Sequence, residues 1–237
     1  MGHQYSKWML SKHARAYAVL SHPEARKIAE LSGIPEEPQK AAVCLGCHAT
    51  ASEAEEWERD LTFRIEDGVQ CEKCHGAGSE YMDADIMQDR DAAMRLGLRM
   101  SNQGDCKVCH YEKGSHVAVH NKPMLDLEEA MEQIAHPTPE HPKWKTRGFQ
   151  SRAEPGSNEY DLVGSYQCGK CHDGPMMGFQ FSRWKMSRHA LAYASLSTPR
   201  AFEIAREEGV SGEPRTSGRC LVCHAPGFGQ SAKDSYI

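Results

Sequence analysis

Apolar residues along this chain fall in short groups broken by charged and turn-forming residues, and no run approaches the roughly 18 apolar positions needed to cross a bilayer. The stretch "SKWMLSKHARAYAVL" (6–20) has helical composition. The next stretch, "SHPEARKIAELSG" (21–33), reads as a second helix. There Ser21 is the expected N-cap, Pro23 lies in the first turn, Glu24 holds the capping-box position and Gly33 is the stop. Further helices are expected over 83–96 ("DADIMQDRDAAMRL") and 125–135 ("LDLEEAMEQIA"), the latter halted by "HPTPEHP". Residues 137–165, rich in Pro, Gly and Ser, read as a connection between modules. No convincing strand alternation occurs. The expected fold is mainly α, helices joined by long loops.

Composition complicates this picture. Of 237 residues, 39% are apolar and only 8% aromatic, and the mean hydropathy is -0.65. That is a thin supply for the interior of a chain long enough for one or two domains, so something other than side chains is expected to fill it. A net charge of -5 argues against nucleic acid as the main partner.

The cysteines supply the missing filling. All ten fall in pairs three apart: Cys44/Cys47, Cys71/Cys74, Cys106/Cys109, Cys168/Cys171 and Cys220/Cys223. Each pair is followed at once by a histidine, His48, His75, His110, His172 and His224, in "CLGCH", "CEKCH", "CKVCH", "CGKCH" and "CLVCH". Two cysteines at this spacing share one side of a helical turn, where they can form thioethers with the two vinyl groups of one haem. The adjacent imidazole then reaches the iron. Zinc knuckles and redox disulfides also use C-x-x-C pairs, but neither requires histidine in the next position.

Five covalently bound haem c groups are therefore expected. At roughly one motif per 47 residues, helices and long loops would wrap around stacked c-type haems, with porphyrin supplying much of the buried apolar surface. The haem-free chain is expected to stay largely unfolded. Attachment of c-type haem takes place outside the cytoplasm, so a periplasmic or extracellular location is expected, although "MGHQYSKWML" has no apolar leader core.

A shift of 176 residues aligns Met1–His48 with Met177–His224 without a gap. Shared residues include Gly2/Gly178, Gln4/Gln180, Trp8/Trp184, His13/His189, Tyr17/Tyr193, Pro23/Pro199, Gly33/Gly209 and Cys44/Cys220. The period is too long for a solenoid and reads as duplication of a cytochrome module: residues 1–150 as the first, with three haem motifs, and 151–237 as the start of the second, with two. "CGKCH" precedes the repeated helix in the second copy, and its counterpart in the first would fall before residue 1. The chain is accordingly expected to be a piece of a larger multihaem protein.

Eight histidines lie outside the motifs. His13 and His189 hold equivalent places in the repeat, five residues after an equivalent tryptophan, and are expected as distal iron ligands. His3 and His22 are replaced by Phe179 and Thr198 in the second copy and gain no such support. His136, just before Pro137, is a third expected distal ligand. His116, His120, His141 and Met87 stay open as ligands. Trp8 and Trp184 are expected to pack on porphyrin faces.

These residues resemble the tetrahaem cytochrome c-554 family. The resemblance rests on "CGKCH" followed by "W..SRHA", on "CLVCHAPGFGQ" and "GVQCEKCHGAGSEY", and on "CKVCH" followed by "LDLEEAMEQIAHP". It implies electron transfer outside the cytoplasm through closely stacked haems, with distal roles for His13, His189 and His136. It also implies that the haems at Cys44/Cys47 and Cys220/Cys223 lack a strong distal ligand. The family has a histidine soon after its "CHGPG", and "CHGAGSEYMDADIM" here has none.

The expected function is electron carriage along mostly bis-histidine haems. The partners are redox proteins, other cytochrome subunits or copies of the same chain, with no nucleic acid and no transmembrane segment. No catalytic residue is assigned. Two alternatives stay open: oxidation or reduction of a small nitrogen compound at a five-coordinate haem, and a structural role in an extracellular haem filament.

Overall fold

A computed structural model describes residues 4–122, 125–136, 164–226 and 228. All regular structure among them is helical, as the sequence pattern predicts, and none of these helices is long and apolar enough to cross a membrane. The chain divides into two compact units, one within residues 11–143 and the other within 144–237 joined by the segment 3–10. The connection expected over 137–165 lies outside the described residues, its last two positions excepted.

Helix α1 (Gln4–Leu10) belongs to the second of these units. Where a single helix over 6–20 is expected, α1 stops at Leu10 and the chain continues as two tight 3-10 turns, His13–Arg15 and Ala18–Ser21. Ser11 supports the break, its hydroxyl accepting from the Ala14 N–H and its carbonyl from the Arg15 guanidinium. Three-residue hydrogen bonding leaves carbonyls free that an α-helix would consume. Leu20 N–H bonds to Tyr17, so the Ala16 carbonyl is available elsewhere.

Helix α2 (Pro23–Leu31) follows, with His22 rather than Ser21 as its N-cap. Proline forces the residue before it into extended geometry, and His22 accordingly sits at φ -73, ψ 151. Ser21 instead turns its hydroxyl back to the Ala18 carbonyl at 2.7 Å. Gly33, at φ +68, ends the helix as expected.

Next come α3 (Ala42–His48) and α4 (Cys71–His75), each containing a C-x-x-C-H motif. The helix expected over 83–96 is two, α5 (Ala84–Met87) and α6 (Arg90–Arg95). Asp89 divides them because its carboxylate accepts from the Ala92 N–H and caps α6. Helix α7 (Gln103–Lys107) is capped by Asn102, α8 is Gly114–His120, and α9 (Leu127–Ile134) is capped by Asp126. Helix α9 ends before Ala135, one residue short of the expected stop, and His136 follows it.

In the other unit stand α10 (Ser165–Gly169), α11 (Gln180–Lys185), α12 (Ala192–Ser195), α13 (Pro199–Glu207) and α14 (Gly218–His224). Ser182, fully buried, donates its hydroxyl to Asp173 at 2.7 Å.

The two cores are small and repeat one another. Leu20, Leu45 and Ala49 pack with Tyr17 and Cys44 in one unit; Leu196, Leu221 and Ala225 pack with Tyr193 and Cys220 in the other. Each residue of the second set stands 176 places after one of the first. Leu221 is the only large apolar side chain among the three bulkiest fully buried residues, the others being Pro214 and Ser182. Side chains alone form a sparse interior, as the composition implies.

Candidate haem sites

Every C-x-x-C-H motif forms a helical turn. Three lie within or at the end of α3, α4 and α14, and in the other two the turn closes through His110 N–H to Cys106 O and His172 N–H to Cys168 O, each 2.8 Å. None of the ten cysteines is paired in a disulfide and none is fully buried. Apolar side chains stand open beside several of these thiols: Val43 is 62% exposed, Val108 65% and Val222 65%. Two thiols on a turn beside uncovered valines suit thioether attachment of an apolar macrocycle.

The thiols are not covered alike. Cys44, Cys47, Cys74, Cys106, Cys109 and Cys220 are partly buried, whereas Cys71, Cys168, Cys171 and Cys223 are exposed. Cys171 and Cys223 are each the second cysteine of their motif. Their counterparts as second cysteine of a motif, Cys47, Cys74 and Cys109, are sheltered because three motifs adjoin within residues 11–143. Cys220, on the opposite end of the same turn as Cys223, is partly covered because it packs against the Leu196–Leu221–Ala225 core. Three residues advance a helix by nearly a full turn and about 4.5 Å along its axis, which carries Cys223 past the edge of that small core. Cys168 and Cys171, both exposed, stand on a turn whose cover is Phe181 over Gly169, between them.

The motif histidines are oriented by their other ring nitrogen. His48 Nδ1 lies 2.8 Å from the Ala16 carbonyl, and His224 Nδ1 lies 2.8 Å from the Ala192 carbonyl, the same contact 176 residues on. His75 Nδ1 meets the Arg99 carbonyl at 2.8 Å, and His172 Nδ1 meets Gln180 Oε1 at 2.8 Å. A carbonyl can only accept, so in these four rings Nδ1 carries the proton and Nε2 keeps a free lone pair for a metal. Arg99 N–H returns a bond to the His75 carbonyl at 2.9 Å, and the Tyr81 hydroxyl donates to the carbonyls of His75 and Gly76.

Two further histidines stand opposite motif histidines. The rings of His13 and His110 are 5.9 Å apart between centres, and those of His75 and His136 are also 5.9 Å apart. A metal–imidazole bond of about 2 Å puts the ring centre about 3 Å from the metal, so two imidazoles sharing one metal stand about 6 Å apart. Both pairs have that separation. Burial lowers the pKa of His13, with His110 adding to it, and burial lowers that of His110 as well. His48 is lowered chiefly by burial, against the Ala16 hydrogen bond and with help from Lys113 and His110. Neutral rings keep the lone pair that iron requires.

The backbone holds His13 in place. Its carbonyl accepts from the Val69 N–H at 3.0 Å, and Gly68 lies against the same turn with φ +71. A Cβ at Gly68 would come within 2.6 Å of the His13 carbonyl oxygen.

Within residues 11–143 the three motifs are neighbours. Burial raises the pKa of Cys109 first, and the neighbouring Cys47 thiol raises it next. Burial raises Cys106 too, and Cys74 is the next contributor. The 106–110 motif therefore adjoins both the 44–48 and the 71–75 motifs. Lys113 Nζ reaches Cys47 Sγ at 3.5 Å. Among the described residues no three His, Cys, Asp or Glu side chains converge on a bare-metal site, whereas structural zinc needs four such ligands.

Other expected site residues fall as follows. His189 is exposed and faces no other imidazole ring among the described residues. Met87 is 47% exposed at the end of α5. His116 and His120 share α8, their rings 6.5 Å apart. His3 and His141 lie outside the described residues. Trp184 stacks on Phe181 at 5.8 Å, and Trp8 meets Tyr5 at 5.4 Å. Sequence reading missed Gln180 as the His172 partner, and its identity with Gln4 across the repeat was the available signal. The carbonyls of Ala16, Arg99 and Ala192 left no signal, because a backbone oxygen is the same in every residue.

Helical turns that each offer two thiols and an imidazole, on a mainly α framework with little core of its own, define a multihaem c-type cytochrome. The chain belongs to the cytochrome c554 and c-prime family, whose model matches residues 2–76 and 167–236. It is an electron-transfer protein that binds haem covalently and, through it, iron. No curated protein and no solved structure matches it.

Proposed function

We propose that the chain holds five haem c groups, most of them closed by two histidines, and relays electrons between redox partner proteins outside the cytoplasm as part of a larger assembly. The observation that carries this reading is the opposition of His13 to His110 and of His136 to His75, each at 5.9 Å. An iron held by two imidazoles has no open position for substrate and supplies only one-electron exchange.

The chain's own residues do the rest. Paired thiols at Cys44/Cys47, Cys71/Cys74, Cys106/Cys109, Cys168/Cys171 and Cys220/Cys223 fix each group to a rigid turn. The exposure of Cys171 and Cys223 leaves both thiols accessible to attachment. His48, His75, His110, His172 and His224 are the proximal ligands; His13, His136 and His189 are the distal ones. The Nδ1 acceptors hold four proximal rings against rotation and raise their basicity. The closeness of Cys47 to Cys109 and of Cys74 to Cys106 supports a spatial order of 44–48, 106–110, 71–75, in which the third motif in sequence lies between the first two. We read residues 1–150 as one cytochrome module and 151–237 as the beginning of a second. Acidic surface, at a net charge of -5, favours docking to basic partners.

The test is protein produced in a host that attaches c-type haem. Intact mass and alkaline pyridine spectra are expected to give five haems per chain, and paramagnetic resonance a majority of low-spin irons. Colourless protein, or zinc in place of haem, refutes the proposal.

A further inference from the structure

Within residues 11–143, two of the three motif histidines face a partner imidazole across 5.9 Å, His110 and His75, and His48 is the third. The remaining described histidines of this unit are His22, His116 and His120. His22 caps α2 and lies 3.8 Å from Glu24. The other two are on α8, whose first turn is fastened beside the 44–48 motif. Lys113, the N-cap of α8, touches Cys47 Sγ at 3.5 Å, and Cys47 immediately precedes His48. Helix α8 packs on α2, and the hydroxyls of Ser115 and Ser32 bond at 2.9 Å.

His116 follows directly. It is half-buried, and its Nδ1 stands 3.5 Å from the Ser115 hydroxyl. The side of the ring turned to Ser115 is thus the one the motif histidines turn to their carbonyls, and Nε2 points away from it. The His116 N–H bonds back to the Lys113 carbonyl at 3.0 Å, which ties His116 to the residue that touches Cys47. His120 is exposed, at the far end of the helix.

We propose that His116 is the sixth ligand of the haem held at Cys44 and Cys47, binding through Nε2 on the side opposite His48 and closing that iron to small molecules. This inference rests on the reading that the 44–48 motif carries haem. It departs from the open iron that family resemblance implies there. The difference is functional, because an open iron binds small molecules and a closed one only exchanges electrons.

Three variants of the haem-loaded protein test it: His116→Gly, His116→Met and His120→Ala. Pyridine spectra count the haems, paramagnetic resonance counts high-spin irons, and carbon monoxide titration of reduced protein counts open ones. His116→Gly is expected to gain one high-spin iron and one carbon monoxide site per chain, and added imidazole to abolish both. His116→Met is expected to keep the iron low-spin, gain a sulfur–iron charge-transfer band and raise the potential of one haem. His120→Ala is expected to match the unmodified protein. Unchanged spin and carbon monoxide counts in His116→Gly, or no sulfur–iron band in His116→Met, overturn the inference while leaving the haem reading intact. Absence of haem from the unmodified 44–48 motif overturns both.

Discussion

Replacing Gly68 with alanine tests whether the backbone sets the distal ligand at the 106–110 motif. Gly68 sits at φ +71, ψ -132, a conformation in which a side chain is strained by about 1–3 kcal/mol. The new Cβ would meet the His13 carbonyl oxygen at 2.6 Å and the N atoms of Ala16 and Tyr17 at 3.1 and 3.2 Å. All three are main-chain atoms, so relief requires moving the turn itself, an overpacking cost of about 1–3 kcal/mol. Together these make about 4 kcal/mol, a large share of the ~5–15 kcal/mol that holds a domain folded.

The displacement matters because the His13 carbonyl also accepts from Val69, and Ala16, in the same turn, orients His48 through its own carbonyl. Gly68→Ala is therefore expected to lower the melting temperature of the haem-loaded protein. It should also convert iron at the 106–110 motif from low-spin to high-spin as His13 leaves its place opposite His110. Calorimetry and paramagnetic resonance on the same sample read the two effects. If the variant melts at the unmodified temperature with an unchanged low-spin count, the account of how His13 is held is wrong.

Two other outcomes follow from the same geometry. His172 has a side chain as its Nδ1 partner, so Gln180→Ala removes that partner without touching the backbone; lost basicity at the ring should raise the potential of one haem, and an unchanged redox titration would count against it. Chain made without haem attachment should show little helix by circular dichroism and no cooperative melt, because Leu20, Leu45 and Ala49 and their counterparts Leu196, Leu221 and Ala225 bury too little surface to order 237 residues.

What could be read from the letters was what is local or periodic. A C-x-x-C-H turn spans five consecutive residues, so its geometry is dictated by the helix and needs no tertiary partner. The mainly α class, the 176-residue repeat and the helix stops at Gly33 and before His136 are legible for the same reason. Boundaries proved less so where a competing local bond intervened: Pro23 made His22 the cap, and the Asp89 carboxylate divided 83–96.

Tertiary structure alone decided who meets whom. His13 stands against His110, 97 positions later, while His48, much nearer in sequence, takes the Ala16 carbonyl instead. That carbonyl is free only because the chain tightens into 3-10 turns, and a main-chain oxygen has no letter of its own. The five motifs read alike, yet Cys47 and Cys109 are partly buried while Cys171 and Cys223 stand exposed. Residue types announce the chemistry because thiols and imidazoles are rare and specific. Their pairing across the fold depends on which backbone groups a bend leaves unspent, and that is settled only when the chain packs.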